Sequence, residues 1–337
     1  MKILRVFSGL ALAASILFTI FYGAAKISEK NQVILPSEYK GVITLWQIDS
    51  FEGGTGSRKA FLLEAARGFE KENEGVLVMV VSHTVSSAKK NMDGGIFPDL
   101  ISYGCGTGIK NATELGEKEK IYGGEVLGTT YAVPWCRGGY CIISNPRVAK
   151  EKDAEDSDGT GHFGELLVSQ GDYTQPLAAF ALEGYTAENI TVMSPMNAYV
   201  KFTEGKAPYF LATQRDIVRL TNRGAEFEIT PLTKYNDLYQ YISVVGQDAT
   251  KNAYAEKFVD YILRDEVQEK LWKINMFSAR IKTDFDSPRL EEMQGVNHEM
   301  TVSAFTSPEE LKNMQEISLA AAKGNQESLL KIKNFIL

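Results

Sequence analysis

The residues best suited to chemistry cluster in one short stretch, Asp49-Ser50-Phe51-Glu52-Gly53-Gly54-Thr55-Gly56-Ser57, directly after an apolar segment. Carboxylates on such a loop can accept bidentate hydrogen bonds from vicinal hydroxyls of a polar molecule. Asp and Thr are also strong helix caps, so Asp49 or Thr55 can equally serve a helix that begins near Ser57. The run Gly53-Gly54-Thr55-Gly56-Ser57 resembles a phosphate cradle only on the surface. It lacks the Gly-Lys-Ser/Thr ending of a nucleotide-binding loop, so nucleotide binding is not expected there.

Other reactive residues are sparse. Cys105, Cys136 and Cys141 are too few for a disulfide scaffold, although Cys136 and Cys141 are close enough in sequence to bridge a tight loop in an oxidising compartment. The alternative is three inert thiols. His83, His162 and His298 are far apart and show no metal-ligand spacing, so no metal site and no cofactor is expected. No Gly-x-Ser-x-Gly elbow appears, and no Ser or Cys sits in a recognisable triad motif, so an enzyme is not expected. With 36 Lys and Arg against 43 Asp and Glu, the net charge is -7, which gives no means of approaching nucleic acid phosphates.

The elements that must position these residues read as alternating strands and helices. Lys2 and Arg5 precede an apolar run from Val6 to Ala25, the layout of a signal peptide or membrane anchor over residues 1–25. Gly23 and Ala25 offer a small-x-small cleavage pattern, so removal and retention both stay open. No cysteine closes the run, so lipid attachment is not expected there. Gly41–Ile48 is β-branched and apolar enough for a buried strand, and the spacing of Phe61, Leu62, Ala65, Ala66 and Phe69 predicts a helix over Arg58–Glu72. Val76–Ser82 and Pro98–Gly104 read as two further strands. Strands alternating with helices predict an α/β lobe with a parallel sheet. Ala149–Gly161 reads as an acidic solvated loop, Leu177–Glu183 and Pro195–Thr203 as helices, and Lys251–Lys273 as one long helix. Met276–Ile281 breaks that pattern, and Ser307–Leu337 holds two or so further helices.

Four stretches then resemble one family. They are Ile43–Ser57 with its helix, Phe97-Pro98-Asp99-Leu100-Ile101, Tyr131–Asn145, and Phe202-Thr203-Glu204-Gly205-Lys206-Ala207-Pro208 with the downstream Asn252–Leu271. In this order they are similar to the extracytoplasmic solute-binding proteins of ABC importers, in the branch that binds sugars. The resemblance implies a bilobal, periplasmic-binding-protein-like α/β fold of type II, with two mixed-sheet lobes, a hinge and an interlobe cleft. It divides the chain into a first lobe of 38–135 plus 243–275 and a second of 138–242 plus 276–337. It places Tyr131–Asn145 where the chain leaves the first lobe, with hinge bending near Pro134–Gly139 and near Tyr241–Val245. It further implies a monomer, outside the cytoplasm or held on the outer face of the membrane, that delivers a carbohydrate to permease subunits.

A sugar site needs flat apolar surface for the ring and fixed polar groups for its hydroxyls. On the resemblance, Trp135, Arg137 and Tyr140 of the crossover line the back of the cleft, and Tyr103 ends a strand that points to it. Tyr209, Gln214 and Arg215 occupy the second-lobe region where the family contacts its ligand. Arg215 can fork onto a ligand carboxylate or phosphate, or pair with Asp216 or Glu226. The chain also departs from the family, because Tyr209–Arg215 stands where a Gly-x-Trp stacking platform is common. Two competing readings are a tethered sensor, through an uncleaved segment, and an enzyme using Cys136 or Cys105 as nucleophile, which would need a lowered thiol pKa.

Overall fold

The computed structural model describes residues 39–116, 123–151 and 161–336. The expected export segment and most of the acidic loop lie outside the described residues. Among the described residues no helix is long and apolar enough to cross a membrane.

The chain runs β1 (Gly41–Ile48), α1 (Arg58–Glu72), β2 (Val76–His83), α2 (Val85–Asp93), β3 (Leu100–Gly104), a small hairpin β4 (Glu125–Val126) and β5 (Thr129–Thr130), then β6 (Val133–Arg137) and β7 (Tyr140–Ser144). It continues through α3 (Pro146–Glu151), β8 (His162–Ser169), α4 (Pro176–Leu182), β9 (Thr186–Met193), α5 (Pro195–Thr203), β10 (Tyr209–Thr213), α6 (Gln214–Asn222), β11 (Glu228–Pro231) and β12 (Tyr239–Val244). Helices α7 (Ala249–Ile262), α8 (Asp265–Gln268), α9 (Pro288–Gln294), α10 (Pro308–Ala322) and α11 (Gln326–Lys333) complete it, with a 3-10 turn at Glu269–Ile274.

Two five-stranded sheets result, in the orders β2-β1-β3-β12-β6 and β11-β7-β10-β8-β9. Each has the same pattern. Strands β2, β1 and β3 run parallel and β12 antiparallel to β3, while β9, β8 and β10 run parallel and β7 antiparallel to β10. Consecutive strands β6 and β7 lie in different sheets, so the chain crosses over at Gly138-Gly139. It crosses back between β11 and β12. Because Tyr239–Ile242 already pair with β6, this return comes before Tyr239 and not at residue 243.

Local chemistry explains the elements. The carboxylate of Asp99 accepts from the backbone N (2.8 Å) and hydroxyl (2.9 Å) of Thr44, which ties the start of β3 beside β1. Ser57 caps α1, whose buried face of Phe61, Leu62, Ala65, Ala66 and Phe69 packs on the sheet. Phe69 meets Phe258 edge-on at 5.2 Å, joining α1 to α7. In the second lobe Phe202 stacks on Phe210 at 5.1 Å within a cluster that includes Tyr199, Ile217 and Phe277. Five helices, α3, α4, α5, α9 and α10, start on Pro, whose missing N–H costs nothing in a first turn.

One expected element is broken. The helix predicted over Lys251–Lys273 ends at Ile262 and restarts at Asp265, because Arg264 adopts an extended conformation. Side chains from elsewhere take up the freed carbonyls: Gln268 Nε2 donates to Ile262 O at 2.9 Å and Arg280 Nη1 to Leu263 O at 2.5 Å.

Candidate functional site

The carboxyl ends of β1, β8, β9 and β10 open onto one cleft of about 490 Å³. Loops beyond the carboxyl ends of strands are where open α/β sheets place ligands. The first sheet contributes Asp49, Ser50, Phe51, Glu52 and the start of α1, and the second contributes Ser169, Thr174, Pro195, Thr213 and Arg215. Leu238, Ile274 and Met276 complete the lining.

The loop after β1 is held in shape by contacts that leave it little freedom. Gly54 sits so close to the turn at Ile274 that an added Cβ would fall 2.0 Å from the Ile274 carbonyl oxygen, and its N–H donates to Met276 Sδ at 3.2 Å. The Thr55 hydroxyl accepts from Asn275 Nδ2. Arg58, only 5% exposed, organises the rest. Its Nη2 pairs with Asp49 Oδ1 at 2.7 Å and donates to Phe51 O at 2.5 Å, its Nη1 donates to Gln240 Oε1 at 2.8 Å, and its guanidinium lies 4.3 Å from the centre of the Phe51 ring. Behind it the polar chain continues inward. Gln240 Nε2 donates to Ser102 Oγ at 3.1 Å, and Ser102 Oγ also accepts from Trp135 Nε1 at 3.0 Å.

Facing this loop is the first turn of α6. The Glu52 carboxylate lies 3.4 Å from Arg219 Nη1 and 3.6 Å from Arg215 Nε. Arg219 also reaches Asp216 Oδ1 at 3.4 Å and lies over the Tyr199 ring at 5.2 Å. Burial pushes the Asp216 carboxyl up to about 6, with the Thr213 backbone hydrogen bond and the Arg219 charge pulling the other way. The opposed carboxylates and guanidiniums can offer forked donors and acceptors to a polar ligand, and Phe51 supplies the aromatic surface.

Asp49, Phe51, Glu52 and Arg215 thus come together in the cleft, with Arg215 facing Glu52 rather than Glu226. Thr55 belongs to the loop but its side chain is engaged by Asn275. The others are turned into the interior. Trp135 is fully buried and stacks on Phe61 at 5.3 Å, and Tyr103 bonds the Ser243 hydroxyl at 3.0 Å in the core. Tyr140 donates to Asp237 Oδ1 at 2.7 Å, and Tyr209 packs edge-on against Phe163 at 5.1 Å. Gln214 is a brace: its Oε1 accepts from Gly139 N at 3.0 Å and its Nε2 donates to Met276 Sδ at 3.4 Å. Arg137 borders a different cavity. The common reason is that strand residues such as Tyr103, Trp135 and Tyr209 are covered by side chains of their own sheet or of a helix packed on it, whereas loop residues beyond the strand ends open onto the cleft.

Sequence reading passed over Arg58 and Arg219. A cation in the first turn of α1 runs against the helix dipole, which is a signal that it has another partner. Arg219 stands four residues after Arg215, hence on the same face of α6. The three cysteines are free and buried, and burial raises the thiol pKa of each, Cys136 despite the opposing charge of Arg58.

No family model matches the chain, and no curated protein matches it in sequence. Solved structures match its fold. The galacto-N-biose-/lacto-N-biose I-binding protein of the ABC transporter from Bifidobacterium longum, in complex with lacto-N-biose, superposes with a TM-score of 0.57 at 12% identity, over 88% of this chain and 97% of that one. The maltose/maltodextrin-binding domain from Bdellovibrio bacteriovorus bound to maltotriose gives 0.54 at 16% identity, over 88% and 98%. The GacH receptor of Streptomyces glaucescens gives 0.55 at 15%, over 88% and 97%. The chain therefore has the bilobal α/β fold of periplasmic binding proteins.

Proposed function

We propose that the chain captures a small polar solute, a carbohydrate, in the cleft between its two sheets, and delivers it outside the cytoplasm to the permease of an ABC importer. The observation that carries this reading is the meeting of loops from both sheets, at the carboxyl ends of their strands, in one polar cleft of about 490 Å³. Neighbours of the same fold are named for binding lacto-N-biose and maltodextrins. Asp49, Glu52 and Arg215 supply charged partners for hydroxyls, and Phe51 an apolar face.

On this reading the lobes are 38–135 with the return strand and the helices to 275, and 138 to the residue before Tyr239 with 276–337. Closure pivots on Gly138-Gly139 and on the segment leading into Tyr239. Binding rather than catalysis is supported by the cysteines, whose burial keeps them as thiols.

The test is calorimetric titration of the full chain, in mild detergent, with lacto-N-biose, maltotriose, chitooligosaccharides, amino acids and polyamines. Saturable binding of a saccharide, weakened about tenfold or more by Arg215→Ala, is expected. Binding of an amino acid or polyamine and of no saccharide would overturn the ligand class.

A further inference from the structure

We propose that a second cavity, of about 450 Å³ and separate in its lining from the cleft, binds a phosphate group between Arg137 and His298. Its charged lining is all of one sign: Arg137, Arg280, Lys282 and, when protonated, His298, with no carboxylate among the described lining residues.

Arg137 makes the case. It is 7% exposed, yet no carboxylate among the described residues pairs with it. Its Nη2 donates to the carbonyls of Gln294 (2.7 Å) and Val296 (3.1 Å), its guanidinium lies 5.4 Å from the Phe277 ring centre, and its buried Nη1 has no hydrogen-bond partner. An enclosed cation held only by neutral groups is costly, and an unsatisfied buried donor adds to the cost. His298 has the complementary vacancy. Its Nε2 lies 3.2 Å from Leu232 O, a bond that requires a proton on Nε2, so Nδ1 carries a lone pair, and that buried atom also has no partner. Burial first, and then the charge of Arg137, pushes His298 down to about 3, which keeps the ring neutral.

The two vacancies are unlike. Arg137 needs an acceptor and neutral His298 Nδ1 needs a donor. A hydrogenphosphate group has both, an anionic oxygen for the guanidinium and an O–H for the imidazole. Sulfate lacks the O–H at neutral pH. Arg280, already engaged with Leu263 O at 2.5 Å, and exposed Lys282 add positive potential at the mouth.

The test follows thermal unfolding of the full chain in low-salt buffer with inorganic phosphate, sulfate or glucose 6-phosphate, against chloride at matched ionic strength. Phosphate is expected to raise the midpoint with the logarithm of its concentration, and sulfate to do so less. Arg137→Met should abolish the rise while its own midpoint without phosphate holds or increases, because a neutral side chain of similar length removes the uncompensated charge. Lys282→Gln, at an exposed position, guards against misfolding of that variant and should weaken apparent affinity about threefold or more. A stronger response to glucose 6-phosphate would identify the occupant as a phosphorylated solute, and a stronger response to inorganic phosphate as the free ion. No rise above the chloride control, equal rises with phosphate and sulfate, or an undiminished rise in both variants would overturn the site.

Discussion

Glu52 and Arg219 meet at 3.4 Å across the cleft, one on the loop after β1 and the other on α6. The same carboxylate oxygen lies 3.6 Å from Arg215 Nε. These groups therefore do two things at once: they hold the rims of the two lobes together and they face the space a ligand would enter. With Glu52 35% and Arg215 31% exposed, water screens them, and each contact contributes at most about 1 kcal/mol.

Glu52→Gln should accordingly change global stability by less than about 1 kcal/mol while loosening the closed arrangement. Small-angle scattering of the unliganded variant is expected to give a larger radius of gyration than the parent, shrinking again when saccharide saturates the cleft. Identical profiles for variant and parent would mean that the pair does not restrain closure.

Trp135→Ala should act on folding before binding. The ring is fully enclosed, stacked 5.3 Å from Phe61, and bonded to Ser102. Its loss is expected to cost about 3–5 kcal/mol in urea unfolding. Trp135→Phe keeps the stack but drops the indole hydrogen bond, at about 1 kcal/mol. Calorimetry on the folded fraction should show affinity within about threefold of the parent. A loss beyond tenfold with unchanged stability would restore Trp135 to the ligand.

The contrast between Trp135 and Asp49 shows what the sequence could and could not reveal. The hydrophobic runs Gly41–Ile48 and Val76–Ser82 and the helical spacing of Phe61 to Phe69 made the first three elements legible, together with the loop that carries Asp49 and Glu52. Pattern tells that a residue follows a strand. It does not tell which strand residues are covered by partners distant in sequence, and Tyr103, Trp135 and Tyr140 are buried against such partners, Ser243, Phe61 and Asp237. Arg58 and Arg219 were hidden differently, because an arginine's role is set by partners distant in sequence: Gln240 for one, Glu52 for the other.

Asp237 sets a pH dependence whose sign can be worked out. It is buried beside Tyr140, and burial pushes its carboxyl up to about 7, the hydrogen bond from Tyr140 opposing. In the unfolded chain it ionises near pH ~4. Between these values the unfolded state binds fewer protons, so this group's contribution to stability falls as pH rises and is fully lost above about 7. Asp216, raised to about 6, acts in the same direction. His298, pushed down to about 3, acts in the opposite direction, lowering stability as pH falls below its ordinary value. Scanning calorimetry of Asp237→Asn against the parent, from about pH 5 to pH 8, should show the variant gaining several degrees relative to the parent. A constant difference across that range would remove Asp237 as the source.

The cysteines should be silent in the native state. Cys105 is 1% exposed and Cys136 and Cys141 are 0% exposed, and burial holds each as the unreactive thiol. A disulfide-exchange dye is expected to find no rapidly reacting thiol in the folded protein and 3 after unfolding. Cys136→Ser should leave saccharide affinity within a few-fold. Rapid, selective labelling of Cys136 would revive the thiol as a nucleophile.

Gly54→Ala tests whether the loop after β1 must keep its shape for binding. A Cβ there meets backbone atoms, the carbonyl oxygens of Ile274 at 2.0 Å and Asn275 at 2.4 Å, which cannot rotate away as a side chain would. The loop must therefore lift. Asp49, Phe51 and Glu52 ride on it, and the ties from Arg58 to Asp49 and Phe51 would stretch with it. Because the strain falls on a surface loop rather than a sheet, the expected cost to folding is about 1–3 kcal/mol, with the cooperative transition retained. Binding should suffer more, since displacement of fixed polar groups by an ångström spoils hydrogen bonds that need heavy-atom distances of about 2.7–3.2 Å, and affinity is expected to fall more than tenfold. Gly164→Ala is the control, because a Cβ there meets nothing within 4 Å. Parent-like titration curves for Gly54→Ala would show that the ligand does not depend on this loop and would move the binding surface to the second lobe.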